Sequence, residues 1–344
     1  MKLFVTGGCG FIGSNFVRLV LRERPDIEMV NFDALTYAGN LENLRDLEGE
    51  KRHRFVRGSI CDRAAVDAAL AGGCDILVNF AAESHVDRSI HEPQVFLETN
   101  VRGTATLLEA AVKAKVRRFV QISTDEVYGS LGPTGVFTEA TPIQPSSPYS
   151  AAKAAADQWV LAYHHTFGTD VVVTRSSNNY GPYQFPEKLI PLFISNALED
   201  KPLPVYGDGR QVRDWLHVDD NCRAILRVAE KAAPGSVYNI GGQSERENID
   251  VTRALLRAVG KPETLIRHVQ DRPGHDRRYA LDISKIRREL GWEPTVKFEE
   301  GLQATVDWYL KNREWWGRVK SGAYREYYEK QYAGRLEGGG ARGR

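Results

Sequence analysis

Several things are scarce in this sequence. Only four cysteines occur in 344 residues, Cys9, Cys61, Cys74 and Cys222. None has CxxC or metal-ligand spacing, which excludes a disulfide framework and fits buried thiols in a reducing compartment. Net charge is nearly absent, since 46 Lys+Arg against 45 Asp+Glu leave +1. That excludes a broadly basic nucleic-acid binder and a polybasic membrane protein, but not a local basic pocket for one small anion. The longest uncharged run, Leu3 to Val17, is too short to span a bilayer and is broken by four glycines. It has neither a basic n-region nor a signal-peptidase site. Histidines are scattered, and His164 and His165, adjacent on a helix, point apart, so no metal is expected. No internal repeat or coiled-coil heptad occurs. A soluble cytoplasmic protein, with neither nucleic acid nor membrane as partner, is expected.

What is present is strand–helix alternation. Leu3–Val5, Glu28–Phe32, Arg54–Arg57, Ile76–Phe80, Phe119–Ile122 and Val171–Val173 read as strands. Phe11–Arg24 and Thr104–Ala114 read as helices, the latter with Leu107, Leu108, Ala111 and Val112 on one face. Such alternation predicts an α/β fold with a Rossmann-like doubly wound parallel sheet. After about Tyr180, proline and glycine rise and strands shorten. This predicts a smaller, irregular α/β substrate-binding domain over residues 181–330, laid on the sheet's carboxyl edge where such folds bind ligands. Glu299–Leu310 reads as an amphipathic helix in it. Some later segments are expected to return to the first domain (1–180). Gly334–Arg344 is low-complexity, and residues 331–344 are expected to be disordered and without a role.

The first strand runs into TGGCGFIGSN. Gly7, Gly10 and Gly13 fit GxxGxxG, and small residues there let backbone approach a pyrophosphate held at a helix N-terminus. Asp33 ends the second strand 20 residues after Gly13, where a carboxylate accepts hydrogen bonds from ribose hydroxyls. It would repel a 2′-phosphate, so NAD is favoured over NADP. Cys9 inside the loop reads as tolerated packing.

Tyr149 and Lys153 lie in SPYSAAKAAAD, on one face of a helix at i, i+4, with Pro148 suited to its first turn. A phenol is a poor base near neutrality, and an ammonium beside it would lower its pKa. The pair could then take a proton from a substrate hydroxyl as hydride leaves the same carbon. In STDEVYG, Asp125 and Glu126 are adjacent acids. Strand neighbours point to opposite faces, so both meet one substrate only if the strand has ended.

With these elements in hand, the chain resembles the extended short-chain dehydrogenase/reductase family, and most closely its dTDP-glucose 4,6-dehydratase branch. The strings are DALTYAGNLENL, AAESHVDRSI, STDEVYG, SSNNYGPYQFPEKLIP, VYGDGRQVRDWLHVDD, YNIGG and DRPGHDRRYALD. They run from Met1 to about Trp316. An acid usual in the family is replaced by Ser59, with Asp62 three residues on. YSASK reads YSAAK, and the short segment Gly129–Glu139 is expected to alter only a surface loop.

The resemblance implies a lyase that uses and regenerates NAD. Hydride would leave sugar C4 while Tyr149 takes the hydroxyl proton and Thr124 bonds the C4 oxygen. The 4-ketone acidifies C5–H, so Glu126 would act there as base and Asp125 would protonate the departing C6 hydroxyl. The two acids then need opposite protonation states. For the cofactor it implies Gly7, Gly10, Phe11, Ile12 and Gly13 at the loop. Asp33, Ala34, Leu35, Thr36, Ser59 and Ile60 follow at the adenosine end. Phe80, Ala81, Ala82, Glu83, Ser84, Thr99, Tyr149, Lys153 and Asn179 complete that set. For the substrate it implies Ser84, Thr124, Asn178, Lys188 and Leu189 at the sugar and diphosphate. Arg213, Arg272 and His275 are the diphosphate cations, with Asp271 beside them. Pro204, Val205 and Tyr206 would clamp thymine, and Asn248 would add a nucleotide contact. His85 alone suggests a structural role. A homodimer is implied, paired through the Tyr149 helix and the one before it, with the Leu107/Leu108/Ala111 stripe and the alanines around Ala151–Ala156 suited to close packing. Two alternatives stay open. One is another nucleotide-sugar dehydratase, decarboxylase or 4-epimerase; the other is a non-catalytic NAD-binding regulator.

Overall fold

The computed structural model describes residues 1–321 together with Tyr328 and Tyr332. Six strands of the first half are β1 (Lys2–Thr6), β2 (Glu28–Asp33), β3 (His53–Arg57), β4 (Ile76–Asn79), β5 (Arg118–Thr124) and β6 (Val171–Ser176). Six more follow: β7 (Asn178–Tyr180), β8 (Leu203–Tyr206), β9 (Val212–His217), β10 (Ser236–Ile240), β11 (Glu245–Glu247) and β12 (Ile266–Val269). The main sheet has seven strands in the order β10-β6-β5-β4-β1-β2-β3, every pair parallel. The Rossmann-like doubly wound sheet expected from the alternation is what forms. Strands covered on both faces are rich in apolar residues, and β4, β5 and β6 are buried at every position. Each of Val171, Val172 and Val173 buries fully, contributing roughly 1.5–3 kcal/mol apiece.

Helices Phe11–Glu23 and Val218–Lys231 cover one face, with Phe16, Val20, Cys222 and Ile225 in one core. Helices Arg63–Leu70, Thr104–Lys113 and Pro148–Phe167 cover the other. The strand order reverses between β1 and β4, so a crevice opens above their carboxyl ends. Over it lies a second apolar core built on Tyr180, Phe193, Trp215, Leu255, Tyr309 and Trp316. It carries the small sheets β11-β9-β7 and β12-β8. The expected amphipathic helix is Phe298–Lys311, and Leu302, Val306 and Tyr309 point into this core.

Four expectations are corrected. Leu107, Leu108 and Ala111 face their own sheet and are unavailable to a second copy, whereas Val112 is 44% exposed. Segment 129–139 is more than a surface loop. Its Phe137 is buried, stacks on Tyr128 at 5.0 Å and bridges to Leu281, and Glu139 Oε1 accepts from Asn239 N at 2.9 Å. Within 331–344, Tyr332 is buried beside Tyr206; the rest of that stretch lies outside the described residues. All four cysteines are free, but Cys61 and Cys74 are only half-buried. No helix among the described residues is long and apolar enough to cross a membrane.

Candidate active site

The crevice is one continuous cavity of about 430 Å³. At its first end β1 turns at Gly7, whose φ of 68° strains any side chain. A Cβ on Gly7 would lie 2.6 Å from Ala81 N, and one on Gly13 would lie 2.2 Å from the Gly7 carbonyl oxygen. Loop, helix and neighbouring strand therefore touch backbone to backbone. Gly10 differs: a Cβ there meets only the Gly7 oxygen, at 3.3 Å, and otherwise finds open space. It leaves room before the N-terminus of helix Phe11–Glu23, which has no side-chain cap and keeps N–H groups for an anion. Burial pushes the Cys9 thiol up to about 12, so this loop cysteine is inert packing.

Asp33 Oδ2 accepts from Cys9 N at 2.9 Å and Oδ1 from Leu35 N at 2.8 Å. A carboxylate offers about four lone-pair directions, leaving two for vicinal hydroxyls. The wall beside it, with Ala34, Thr36, Ala38 and Gly39, holds no cation for a further phosphate. These features fit NAD. Ser59 also lines the cavity, its hydroxyl accepting from Cys61 N at 3.2 Å. Asp62 does not replace the family's acid, because it caps helix Arg63–Leu70 by accepting from Ala65 N. Thr99 reaches the cavity from a wide π turn, Leu97–Gly103, of the kind found at functional sites.

The groups expected to react line the middle of the cavity. β5 ends at Thr124 and a 3₁₀ turn, Asp125–Tyr128, follows. Thr124 Oγ1 accepts from Glu126 N and donates to Asp125 Oδ1 at 3.2 Å. The turn breaks strand alternation, so both acids line the same cavity with Thr124, Tyr149 and Lys153. Ser147 and Ser150 form a capping box around Pro148, which fixes the start of the Tyr149 helix.

The two acids are not equivalent. Burial holds Asp125 well above the ordinary carboxylate range, and Glu126 and Asp214 push it further against Arg213. Burial raises Glu126 too, but Lys188, Arg272 and Arg213 draw it back. Asp125 is thus pushed further toward its neutral form, whereas Glu126 has cations around it that oppose the push. The pair Tyr149–Lys153 departs from expectation. Lys153 Nζ donates to the Ile122 carbonyl at 2.5 Å instead of reaching the phenol. Burial, with Glu126, holds Tyr149 far above its usual value, eased by the Thr124 hydroxyl.

At the far end, Arg213 is buried and held by two backbone carbonyls, of Val212 and Asp276, over the Tyr279 ring. Lys188 Nζ donates to Ser84 O at 2.7 Å. Arg272 pairs with Asp87, which also holds Tyr206. His275 lines the same wall, its Nδ1 bonded to Asp271 Oδ1 at 2.6 Å; burial, then Arg272 and Arg213, bring it down to about 4.

Two residues of the expected set are absent from the wall. Leu35 packs against the first core, and Asp271 lies behind His275, bonded also to Gln211 Nε2. All the others line the cavity. His85 lines it too, while capping helix Val86–His91 and meeting Glu187 O. Residues missed include Asp87, Glu187, Tyr279 and Tyr332. Asp87 lay within a quoted motif; Tyr332 sits after a stretch with no motif.

The model of the GDP-mannose 4,6 dehydratase family matches residues 4–305. The dTDP-glucose 4,6-dehydratase of Xanthomonas campestris is 55% identical, covering 93% of this chain and 96% of that protein. The Escherichia coli protein of the same name is 50% identical, covering 94% and 98%. Among solved structures, the Streptomyces venezuelae dTDP-glucose 4,6-dehydratase with NAD bound superposes with a TM-score of 0.91 at 52% identity, over 93% of this chain and 100% of that one. A UDP-glucose 4-epimerase from Thermotoga maritima reaches 0.85 at 30% identity, over 91% and 100%. The shared architecture extends to enzymes of different chemistry, but the higher identities are to dehydratases. The chain belongs to the GDP-mannose 4,6 dehydratase family, in its dTDP-glucose 4,6-dehydratase branch.

Proposed function

We propose that the protein converts dTDP-glucose into dTDP-4-keto-6-deoxyglucose by oxidation at C4, loss of water across C5 and C6, and reduction at C6. The observation that carries this reading is the placing of both Asp125 and Glu126, at the turn that ends β5, in one cavity with Thr124 and Tyr149, each acid with different charged neighbours. Elimination needs one acid to give a proton and one base to take one. A 4-epimerase needs neither at C5 and C6, so a buried, divided pair has no use there.

When bound, NAD supplies the acceptor for the C4 hydride and, once reduced, the donor for C6. It would be held by the loop from Gly7 to Gly13, by Asp33 and by the wall from Phe80 to Ser84. Tyr149 takes the C4 hydroxyl proton, with Thr124 bonding the same oxygen. Glu126 removes the C5 proton that the neighbouring ketone acidifies. Asp125 gives its proton to the C6 hydroxyl, which leaves as water, and Glu126 returns a proton to C5. Arg213 and Arg272 bind the diphosphate, and Tyr206 with Pro204 and Val205 holds the base. Arginine's fork suits phosphate oxygens.

The same reading divides the chain into a cofactor domain to about Tyr180, joined by later segments, and a nucleotide-sugar domain over 181–330. It includes a homodimer. Val112, Trp159 and Phe167 are exposed apolar residues on the adjacent helices Thr104–Lys113 and Pro148–Phe167, a pattern that marks interfaces. The free thiols favour a cytoplasmic setting. The test is absorbance in alkali after incubation with dTDP-glucose, since 4-keto sugars absorb there; no signal with dTDP-, UDP- or GDP-sugars would favour a non-catalytic NAD-binding protein.

A further inference from the structure

Behind Tyr149 and Lys153 lies a buried charge that the steps above do not use. Helix Pro148–Phe167 carries the i, i+4 stripe one turn further, to Asp157. Tyr149, Lys153 and Asp157 are 8%, 5% and 0% exposed. Asp157 Oδ2 accepts from Arg175 Nε at 3.0 Å. Arg175 Nη1 donates to Tyr128 Oη at 3.0 Å, and that hydroxyl donates to Asn239 Oδ1 at 2.8 Å. The carboxylate is thus anchored through β6, the turn after β5, and β10. Arg175 engages Oδ2 alone, and the Ser123 hydroxyl also favours the carboxylate.

Lys153 needs such a neighbour. Its hydrogen bond goes to a neutral carbonyl, and a buried ammonium without a counter-charge gives up its proton instead. The other ionisable groups around it do not supply that charge. Burial pushes Asp125 toward its neutral form, Tyr149 and Tyr128 are phenols pushed upward by burial, and the charges that act on Glu126 are Lys188, Arg272 and Arg213. Burial raises Asp157 as well, and Arg175, on β6, is the first charge that draws it back toward the carboxylate, with Lys153 next. Burial pulls Lys153 down to about 8, and Asp157 is the charge that opposes it.

We propose that Asp157 is a positioning residue for the reaction: its carboxylate, fixed by Arg175, is the counter-charge that keeps Lys153 an ammonium beside Tyr149. This rests on the acid–base reading of Tyr149 and Lys153 given above.

The experiment compares product formation against pH for the NAD-loaded wild type, Asp157→Asn, Asp157→Glu and Arg175→Met, with thermal midpoints for each. Asp157→Asn should move the high-pH limb down by about one unit, lowering kcat at pH 8 more than it changes KM, and Asp157→Glu should restore it. Arg175→Met removes the cation that holds Asp157 toward its charged form, so its midpoint should fall and its limb should move down in the same direction as that of Asp157→Asn. Should Asp157→Asn fail to fold, Asp157→Asn with Arg175→Gln removes both charges and should show the same downward limb. Lower midpoints with an unmoved limb in every folded variant would overturn the proposal and leave the pair a structural one. A wild type that forms no 4-keto product would instead overturn the underlying reading, and the proposal with it.

Discussion

Arg272 and Asp87 form an ion pair at the substrate end of the cavity, Nη1 donating to Oδ1 at 3.1 Å, with the Asp87 side chain only 4% exposed. The other Asp87 oxygen accepts from Tyr206 Oη at 2.8 Å. One carboxylate thus ties the residue assigned to the diphosphate to the ring assigned to the base. Arg272 Nε is buried with no hydrogen-bond partner among the described residues.

Replacing Asp87 with Asn should loosen both groups and leave the reacting centre intact. Hydrogen bonds to charged groups contribute about 1.5–3 kcal/mol, so KM for dTDP-glucose should rise at least about tenfold with kcat little changed. Steady-state kinetics checks this; a loss confined to kcat would place Asp87 elsewhere in the mechanism.

Asp125→Asn and Glu126→Gln should each abolish the 4-keto-6-deoxy product while some C4 oxidation persists, seen as reduced nicotinamide absorbance on the protein. The two should differ in proton exchange. Asp125→Asn keeps the C5 base and should still wash solvent deuterium into C5; Glu126→Gln should not. Full turnover in both variants would remove these roles.

The two loop glycines should separate fold from cofactor. Gly13→Ala drives a Cβ to 2.2 Å from the Gly7 oxygen and should destabilise the protein itself. Gly10→Ala meets that oxygen at 3.3 Å, so the protein should fold but lose NAD during gel filtration.

Lys153 gives a pH prediction with a definite sign. Its folded value of about 8 lies below the ordinary lysine value of 10.5. Between those values the unfolded chain holds more protons, so Lys153's contribution to stability rises with pH there. Activity should move the opposite way, falling as pH rises through about 8 and the ammonium is lost. Lys153→Met should flatten the stability slope in that window, measured by denaturant titration at several pH values.

Trp159→Glu should give a monomer on gel filtration at micromolar concentration if the exposed helix face pairs two copies. An unchanged elution volume would move the interface elsewhere.

Much of this was legible in the sequence because it is local. The glycine loop, the acid ending β2 and the Tyr149–Lys153 spacing depend on neighbours in the chain, and β1 to β6 form where apolar runs lie. β10 was harder. SVYNI is short, lies far beyond Tyr180, and becomes the sheet edge only by pairing with β6. The stripe at Leu107 had the right periodicity, yet periodicity cannot say whether a face meets its own sheet or another copy. Tyr332 and Asp87 enter the wall through contacts across more than 100 residues, with Tyr206 and Arg272.

The most direct test of the account is proton NMR of the product formed from dTDP-glucose in D2O. Elimination and return of a proton by Glu126 predict a 4-keto-6-deoxy sugar carrying deuterium at C5. A product that keeps its C6 hydroxyl, such as the C4 epimer, would contradict it.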